Sequence, residues 1–241
     1  MIFLFTDFGA EGPYLGQMEA ALRQQAPGID LVNLVSNAPA GEPRWSSYLL
    51  AALSKQLPGG SVFLAVVDPG VGGERLPVVL KADGQWFVGP DNGLFNTVAV
   101  QSAKTEWRII DWRPTALSAS FHGRDLFAPV AARIAVHDFE WASRSHPKPE
   151  LDGWPSDIPE IIYFDHYGNA ITGMRYATEC DGMTLCANGR LLKRAETFCS
   201  VAIGEAFWYR NSMGLIEIAV NRGRANRDLG LALGMPISFK S

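Results

Sequence analysis

Short unbroken apolar runs alternate with amphipathic stretches along the first part of the chain. Ile2–Phe5, Asp30–Val35 and Val62–Val67 read as strands, the first and third apolar enough to be buried on both faces. Between them, Tyr14–Gln25 carries Leu15, Met18, Ala21 and Leu22 at helical spacing. Arg44–Leu57 likewise sets Trp45, Tyr48, Leu49, Ala52 and Leu53 on one helical face. Short strands are expected near Leu76–Lys81, Trp86–Val88 and Trp107–Ile110, and a helix over Leu126–Val136. Strands alternating with helices at these intervals predict an α/β domain, its sheet mostly parallel and covered by helices on both faces.

The pattern changes at Ser143–Pro159, which holds four prolines and five charged residues and reads as a linker. Beyond it helical periodicity largely disappears. Glu160–Phe164, Ala170–Arg175, Gly182–Ala187, Phe207–Tyr209 and Leu215–Val220 are short alternating runs separated by polar turns, the pattern of a small β-barrel or sandwich. The expected organisation is an α/β domain over 1–143, a linker over 144–159 and a smaller β-barrel-like domain over 160–241.

Composition narrows the class of function. The chain has 241 residues, 47% of them hydrophobic and 19% charged, with 24 Gly and 15 Pro, as suits a loop-rich α/β protein. A net charge of −4 without a basic run excludes a sequence-independent grip on nucleic acid or an anionic membrane. The apolar start, MIFLFTDFG, is too short for a signal peptide, and no run approaches the ~20 residues that span a bilayer. Three cysteines, Cys180, Cys186 and Cys199, form no CxxC pair and argue for free, buried or half-buried thiols in a reducing compartment. A soluble cytoplasmic protein is expected.

Candidate chemistry gathers at predicted strand ends. In Ser61–Arg75, SVFLAVVDPGVGGER, the central apolar run stops at Asp68. Pro69 and the glycines Gly70, Gly72 and Gly73 then let the chain curl, and Arg75 returns towards the carboxylate. Open α/β sheets bind ligands at such carboxyl ends, although a tight turn closed by a structural ion pair fits the same residues. Asp7 ends the first strand in the same way. His122 precedes a helix and reads either as a base or as a hydrogen-bonded structural residue. Arg124-Asp125 beside it reads as helix capping, and Asp91-Asn92-Gly93 as turn chemistry. Asp165 with Asn169 follows a strand and suits either a hairpin turn or a polar ligand. No GxGxxG, Walker loop or GxSxG elbow is present. His137, His146 and His166 lack a metal-ligand spacing, so no metal site is expected.

Six segments in order, TDFG with Tyr14-Leu15-Gly16, VVDPGVGGER, GPDNGLF, FHGRDLFAP, FDHYGNAIT and NSMGLIEIAVNRGRA, resemble one family over almost the whole chain. It is the S-adenosylmethionine hydroxide adenosyltransferases, relatives of the fluorinase and chlorinase. The resemblance implies an amino-terminal α/β domain, a carboxyl-terminal β-barrel-like domain, and a homotrimer whose active sites lie between subunits. It also implies hydrolysis of S-adenosylmethionine to adenosine and L-methionine with no cofactor, the small molecule being the substrate. The family's attack set falls on Asp68, Arg75 and His122, with the base open between Asp68 and His122. Asp7 matches the aspartate on the ribose hydroxyls, Asp165 and Ser212 match positions on the methionine amino and carboxylate groups, and Asn169 matches an adenine contact assisted by backbone near Arg222.

The halogenating relatives resemble one another in having tyrosine where Asp68 stands, and a carboxylate lines a halide pocket poorly because like charges repel. Some positions depart from the family pattern. Met213 stands where the halogenases have an arginine, Gly173 where asparagine is usual, and Ser120 where threonine is. Asn37–Arg44 lacks the usual histidine. The alternatives to a hydrolase are a halide-using adenosyltransferase and a non-catalytic S-adenosylmethionine or adenosine binding module.

Overall fold

The alternating apolar runs of the amino-terminal part become the strands of one seven-stranded sheet in the computed structural model of the chain, which describes residues 1–147 and 149–240. Lys148, inside the expected linker, and Ser241, the end of the second expected domain, lie outside the described residues. The strands are β1 (Ile2–Thr6), β2 (Leu31–Val35), β3 (Val62–Val66), β4 (Pro77–Ala82), β5 (Gln85–Pro90), β6 (Thr105–Ile110) and β7 (Ser143–Ser145). Their order is β2-β1-β3-β5-β4-β6-β7. The β1–β2, β1–β3 and β3–β5 ladders are parallel, whereas β4–β5, β4–β6 and β6–β7 are antiparallel. The sheet is therefore mixed. The reversal comes from the β4–β5 hairpin, whose Asp83-Gly84 turn has φ of 46° and 86°, the primed geometry that Asp-Gly favours. Ser143–Ser145, at the start of the expected linker, pairs with β6 at the sheet edge.

Period-two alternation decides which helices cover which face. Ile2, Leu4, Val62, Leu64 and Val66 form one core with Met18 and Leu22 of α1 (Tyr14–Gln25) and with Val130, Ala131 and Ile134 of a second helix, Ala128–Ala135. On the other face Phe3, Phe63 and Phe87 stack at 5.4 and 4.7 Å, and Phe95 closes on Phe87 at 5.9 Å. Ser47 in α2 (Pro43–Ser54) and Thr97 in α3 (Asn96–Val100) share a 2.7 Å hydrogen bond. The helix Ala128–Ala135, α4, starts two residues later than expected, because Gly123–Phe127 winds as a π-helical turn.

By its contacts the described chain divides into two units, Met1–Ala51 with Leu57–Trp154, and Ala52–Gln56 with the residues from Pro155 on. The second unit holds seven strands: β8 (Ile161–Phe164), β9 (Ala170–Arg175), β10 (Thr184–Ala187), β11 (Arg190–Arg194), β12 (Ala206–Arg210), β13 (Leu215–Val220) and β14 (Ile237–Lys240). They run in the order β14-β10-β11-β12-β13-β9-β8, antiparallel except for β11–β12. The sheet curls until its edges meet: Glu160 bridges Pro236, and Ile237 N–H donates to the Pro159 carbonyl at 2.8 Å. Ile161, Leu185, Trp208, Ile216, Ile218 and Ile237 fill the interior.

Gly173, one of the departures noted above, has a local reason. A Cβ there would lie 2.4 Å from Ile158 Cγ1 and 3.0 Å from the Ile158 carbonyl. The isoleucine occupies the space that a larger residue needs. Cys180 and Cys186 are half-buried and Cys199, expected to be at least half-buried, is exposed; all three are free. Among the described residues no helix is long and apolar enough to cross a membrane.

Candidate active site

Asp68 follows β3, and its carboxylate receives Arg75 in a bidentate clasp: Nε lies 3.1 and 3.0 Å from the two oxygens and Nη2 2.5 Å from Oδ2. The pair is withdrawn from solvent, with side-chain exposures of 10% for Arg75 and 4% for Asp68. Arg75 is further held over the Phe127 ring, 5.2 Å from its centroid, a cation–π contact. Its Nη2 also reaches His122 Nδ1 at 2.9 Å, joining two loops 47 residues apart.

Those loops meet because a glycine permits it. Gly72 has φ of 78°, and a Cβ there would stand 2.5 Å from the Ala119 carbonyl, so only glycine lets the loop press against the segment leading to His122. Behind Asp68, Asn92 Nδ2 donates to the Val67 carbonyl at 2.9 Å while its Oδ1 accepts from Leu94 N–H at 3.3 Å. The turn read from Asp91-Asn92-Gly93 therefore also anchors the strand end that carries Asp68. Asp91 itself pairs with His146 Nε2 at 2.9 Å.

Asp7 enters the same site from β1. Its Oδ2 accepts from Gly41 N–H at 2.8 Å, a contact from the Asn37–Arg44 segment that side-chain motifs cannot reveal. Burial pushes its carboxyl above the usual carboxylate range. The Gly41 hydrogen bond partly offsets this, and the nearby Asp68 charge adds to it. The His122 imidazole goes the other way. Burial, and then the Arg75 charge, hold it below the usual histidine range. Asp7, Asp68 and His122 line one cavity of ≈ 120 Å³ together with Phe8, Val66 and Phe121. A larger hollow of ≈ 460 Å³ lies beside β11 and is lined by Leu191, Lys193, Glu205 and others, none of them a predicted site residue, so volume alone does not mark the chemistry here.

Arg124-Asp125 does not cap a helix as expected. Asp125 takes Arg124 on both oxygens, at 2.6 and 3.0 Å, and accepts from Ser118 N–H at 2.9 Å, pinning the loop ahead of His122.

In the second unit the structure gathers some predicted residues and leaves others apart. Asp165 and Asn169 form the β8–β9 hairpin turn. Asp165 Oδ1 accepts from Asn169 N–H at 2.8 Å and Oδ2 from Asn169 Nδ2 at 2.9 Å. Ser212 is exposed in the β12–β13 turn, and Arg222 is exposed after β13 with a left-handed φ of 55°. The sequence reading missed Glu217, only 4% exposed, which meets Tyr209 and Asn211. Its signal was available: one carboxylate inside the apolar run LIEIAV. Burial pushes the Glu217 carboxyl up, and burial together with Glu217 pushes the Tyr209 phenol well above its ordinary value. Among the described residues no group of three or more His, Cys, Asp or Glu side chains is arranged to hold a metal.

Comparison with known proteins gives a consistent answer. Residues 2–141 match the family model described as SAM hydroxide adenosyltransferase N-terminal domain, and 159–238 match the corresponding C-terminal domain. The chain is 37% identical over 255 residues to a protein named (R)-S-adenosyl-L-methionine hydrolase from Thermus thermophilus, covering 98% of each chain. It is 33% identical to one of the same name from Salinispora tropica, covering 95% of this chain and 93% of that one. Among solved structures, an uncharacterized conserved protein from Thermotoga maritima superposes with a TM-score of 0.91 at 29% identity, over 100% of both chains. A conserved hypothetical protein from Thermus thermophilus gives 0.81 at 34% identity, over 99% of both.

Proposed function

The chain belongs to the SAM hydroxide adenosyltransferase family, and from that premise we propose that it hydrolyses S-adenosylmethionine to adenosine and L-methionine by in-line attack of water on ribose C5′. One observation carries the assignment to residues. Asp68 and His122, joined by Arg75, line a cavity that also receives Asp7.

The sulfonium is already a good leaving group, so the protein's task is to hold and deprotonate the nucleophile. The water oxygen bonds to C5′ as the C5′–S bond breaks and its electron pair departs with the methionine sulfur. Positioning supplies much of the rate. The surplus proton of the attacking water goes to a base, and the donor pattern around Arg75 favours one of the two candidates. Arginine has five donors and no lone pair. The ring nitrogen of His122 that faces Arg75 must therefore be the unprotonated one, and the opposite nitrogen carries the hydrogen. His122 is neutral and offers the cavity a donor, not a base. Adding a proton would set N–H against N–H and bring a second positive charge to Arg75. The acceptor is Asp68, whose Oδ1 receives only the longer 3.1 Å contact from Arg75 and keeps a lone pair for the water.

Two substitutions separate these roles. Replacing His122 by Ala removes one positioned donor and is expected to lower kcat ~10²-fold. Glutamine, which can accept from Arg75 through its oxygen and donate through its nitrogen, should stay within about tenfold of wild type. If His122→Gln is as inactive as His122→Ala, histidine is the base after all. The pH profile follows the same logic. With His122 held below the usual range near 6.5, kcat is flat through neutral pH and falls on the acid side, below where an ordinary histidine titrates. Stability has the same sign. The unfolded chain binds this proton more readily, so the contribution is complete above ~6.5 and is lost as pH falls through the depressed value.

Asp7 is assigned to the ribose hydroxyls. A hydrogen bond to a charged group is worth ~1.5–3 kcal/mol, so Asp7→Ala should weaken adenosine binding ~10–100-fold while kcat at saturation changes much less. Calorimetric titration that finds unchanged affinity would remove the ribose clamp from this position.

At ≈ 120 Å³ the cavity is smaller than the ~300–1,000 Å³ of ligand clefts and takes only part of the substrate. In this reading the remainder is met by Asp165, Asn169, Ser212 and backbone near Arg222 of a neighbouring copy, in a cytoplasmic homotrimer that needs no metal or redox cofactor. Incubation with S-adenosylmethionine followed by chromatography tests the whole. Adenosine supports the hydrolase. A 5′-halo-adenosine formed on adding halide, or bound but unchanged ligand, overturns it.

A further inference from the structure

The strand β13 reads Leu-Ile-Glu-Ile-Ala-Val, and all six positions are buried. Ile216, Ile218 and Val220 point into the barrel core, which places Glu217 on the other face of the sheet, opposite Tyr209 of β12 and Ile171 of β9. A carboxylate withdrawn to 4% exposure costs several kcal/mol unless donors meet it. Here two do, one on each oxygen. The Tyr209 hydroxyl donates to Oε1 and Asn211 Nδ2 donates to Oε2 at 2.9 Å.

One of these donors belongs to a turn that carries a proposed ligand residue. Asn211 Oδ1 accepts from Met213 N–H at 3.0 Å and Leu215 N–H at 2.9 Å, and so shapes the turn that presents Ser212. One buried anion thus sits behind that turn and contributes no atom to a ligand itself.

We propose that Glu217 is a positioning residue for substrate binding, holding through Asn211 the turn that presents Ser212. The inference rests on the reading that this turn faces the substrate.

Glutamine at 217 has one acceptor oxygen for two donors, so its NH₂ must face one of them. In Glu217→Gln, KM for S-adenosylmethionine is expected to rise about tenfold or more with kcat within about threefold, because the attack residues are on other elements. A purely structural role gives a different result: a lower Tm and kcat reduced with the inactive fraction, at unchanged KM. That result overturns the proposal, as does a variant identical to wild type. If Glu217→Gln does not fold, Asn211→Ala carries the same measurements from the other end of the link, with the same outcomes for and against. A wild-type protein that releases no adenosine from S-adenosylmethionine defeats the hydrolase reading instead, so the two failures are distinguishable.

Discussion

Replacing Asp68 by Asn is expected to reduce kcat by ~10²–10⁴-fold while leaving adenosine affinity within about threefold of wild type. The range is that of a positioned general base. Asparagine matches the shape of the carboxylate and can still accept from Arg75 through one oxygen, so the loop has a reason to keep its course. What it cannot do is take a proton from water. It also leaves the Arg75 guanidinium, 10% exposed, without its counter-charge. The proposed ribose clamp at Asp7 and the Gly41 contact are untouched, which is why binding should survive. Turnover within tenfold of wild type would show that the proton leaves by another route. The neutral, donor-presenting His122 argues against that route being the imidazole.

Removing the other half of the pair has the larger cost in stability. Arg75→Met keeps the packing of the chain stem but leaves the Asp68 charge, 4% exposed, without a partner. Breaking a buried pair from one side costs ~3–5 kcal/mol, which for a chain of this size corresponds to a fall of roughly 6–20 °C in Tm. Activity should fall with it, since Arg75 both orients Asp68 and fixes the His122 tautomer. The control is the double replacement Asp68→Asn with Arg75→Met, which removes the stranded charge. It should be more stable than Arg75→Met alone, giving a favourable coupling in a double-mutant cycle. Two losses that simply add would mean that the pair is not coupled and that the loop is held by other contacts.

Arg75 shows how economical the site is. One side chain clasps the carboxylate, satisfies a ring nitrogen and covers Phe127. The π-helical turn Gly123–Phe127 supports this arrangement, because it carries Phe127 under the guanidinium immediately after His122. Such turns recur at functional sites, and sequence periodicity read this one as the start of an ordinary helix.

Much of the architecture was legible because its signals are local. Tyr14–Gln25, Ala170–Arg175 and Leu215–Val220 were delimited by their periodicity alone, since a helix repeats every 3.6 residues and a strand every two. Three strands escaped: Arg190–Arg194 is too polar to alternate, with only Leu192 buried, Ile237–Lys240 alternates over four residues only, and Ser143–Ser145 has no apolar residue. Their places are dictated by neighbours, β10 and β12 for the first, β10 for the second and β6 for the third. The same limit explains Asp125. A carboxylate near a helix start is a sound capping signal, yet the loop folding back over it offered Ser118 N–H instead.

The chain by itself thus determined where most strands and helices lie, where the backbone must turn, and which residues carry charge at strand ends, all of which depend on near neighbours. Only the tertiary structure decided that Gly72 would admit the Ala119 carbonyl, that Arg75 would hold Asp68 and His122 together, and that Glu217 would meet Asn211 behind the Ser212 turn. Those outcomes depend on strand order and on contacts between distant segments, where a few tenths of an ångström separate a hydrogen bond from a collision.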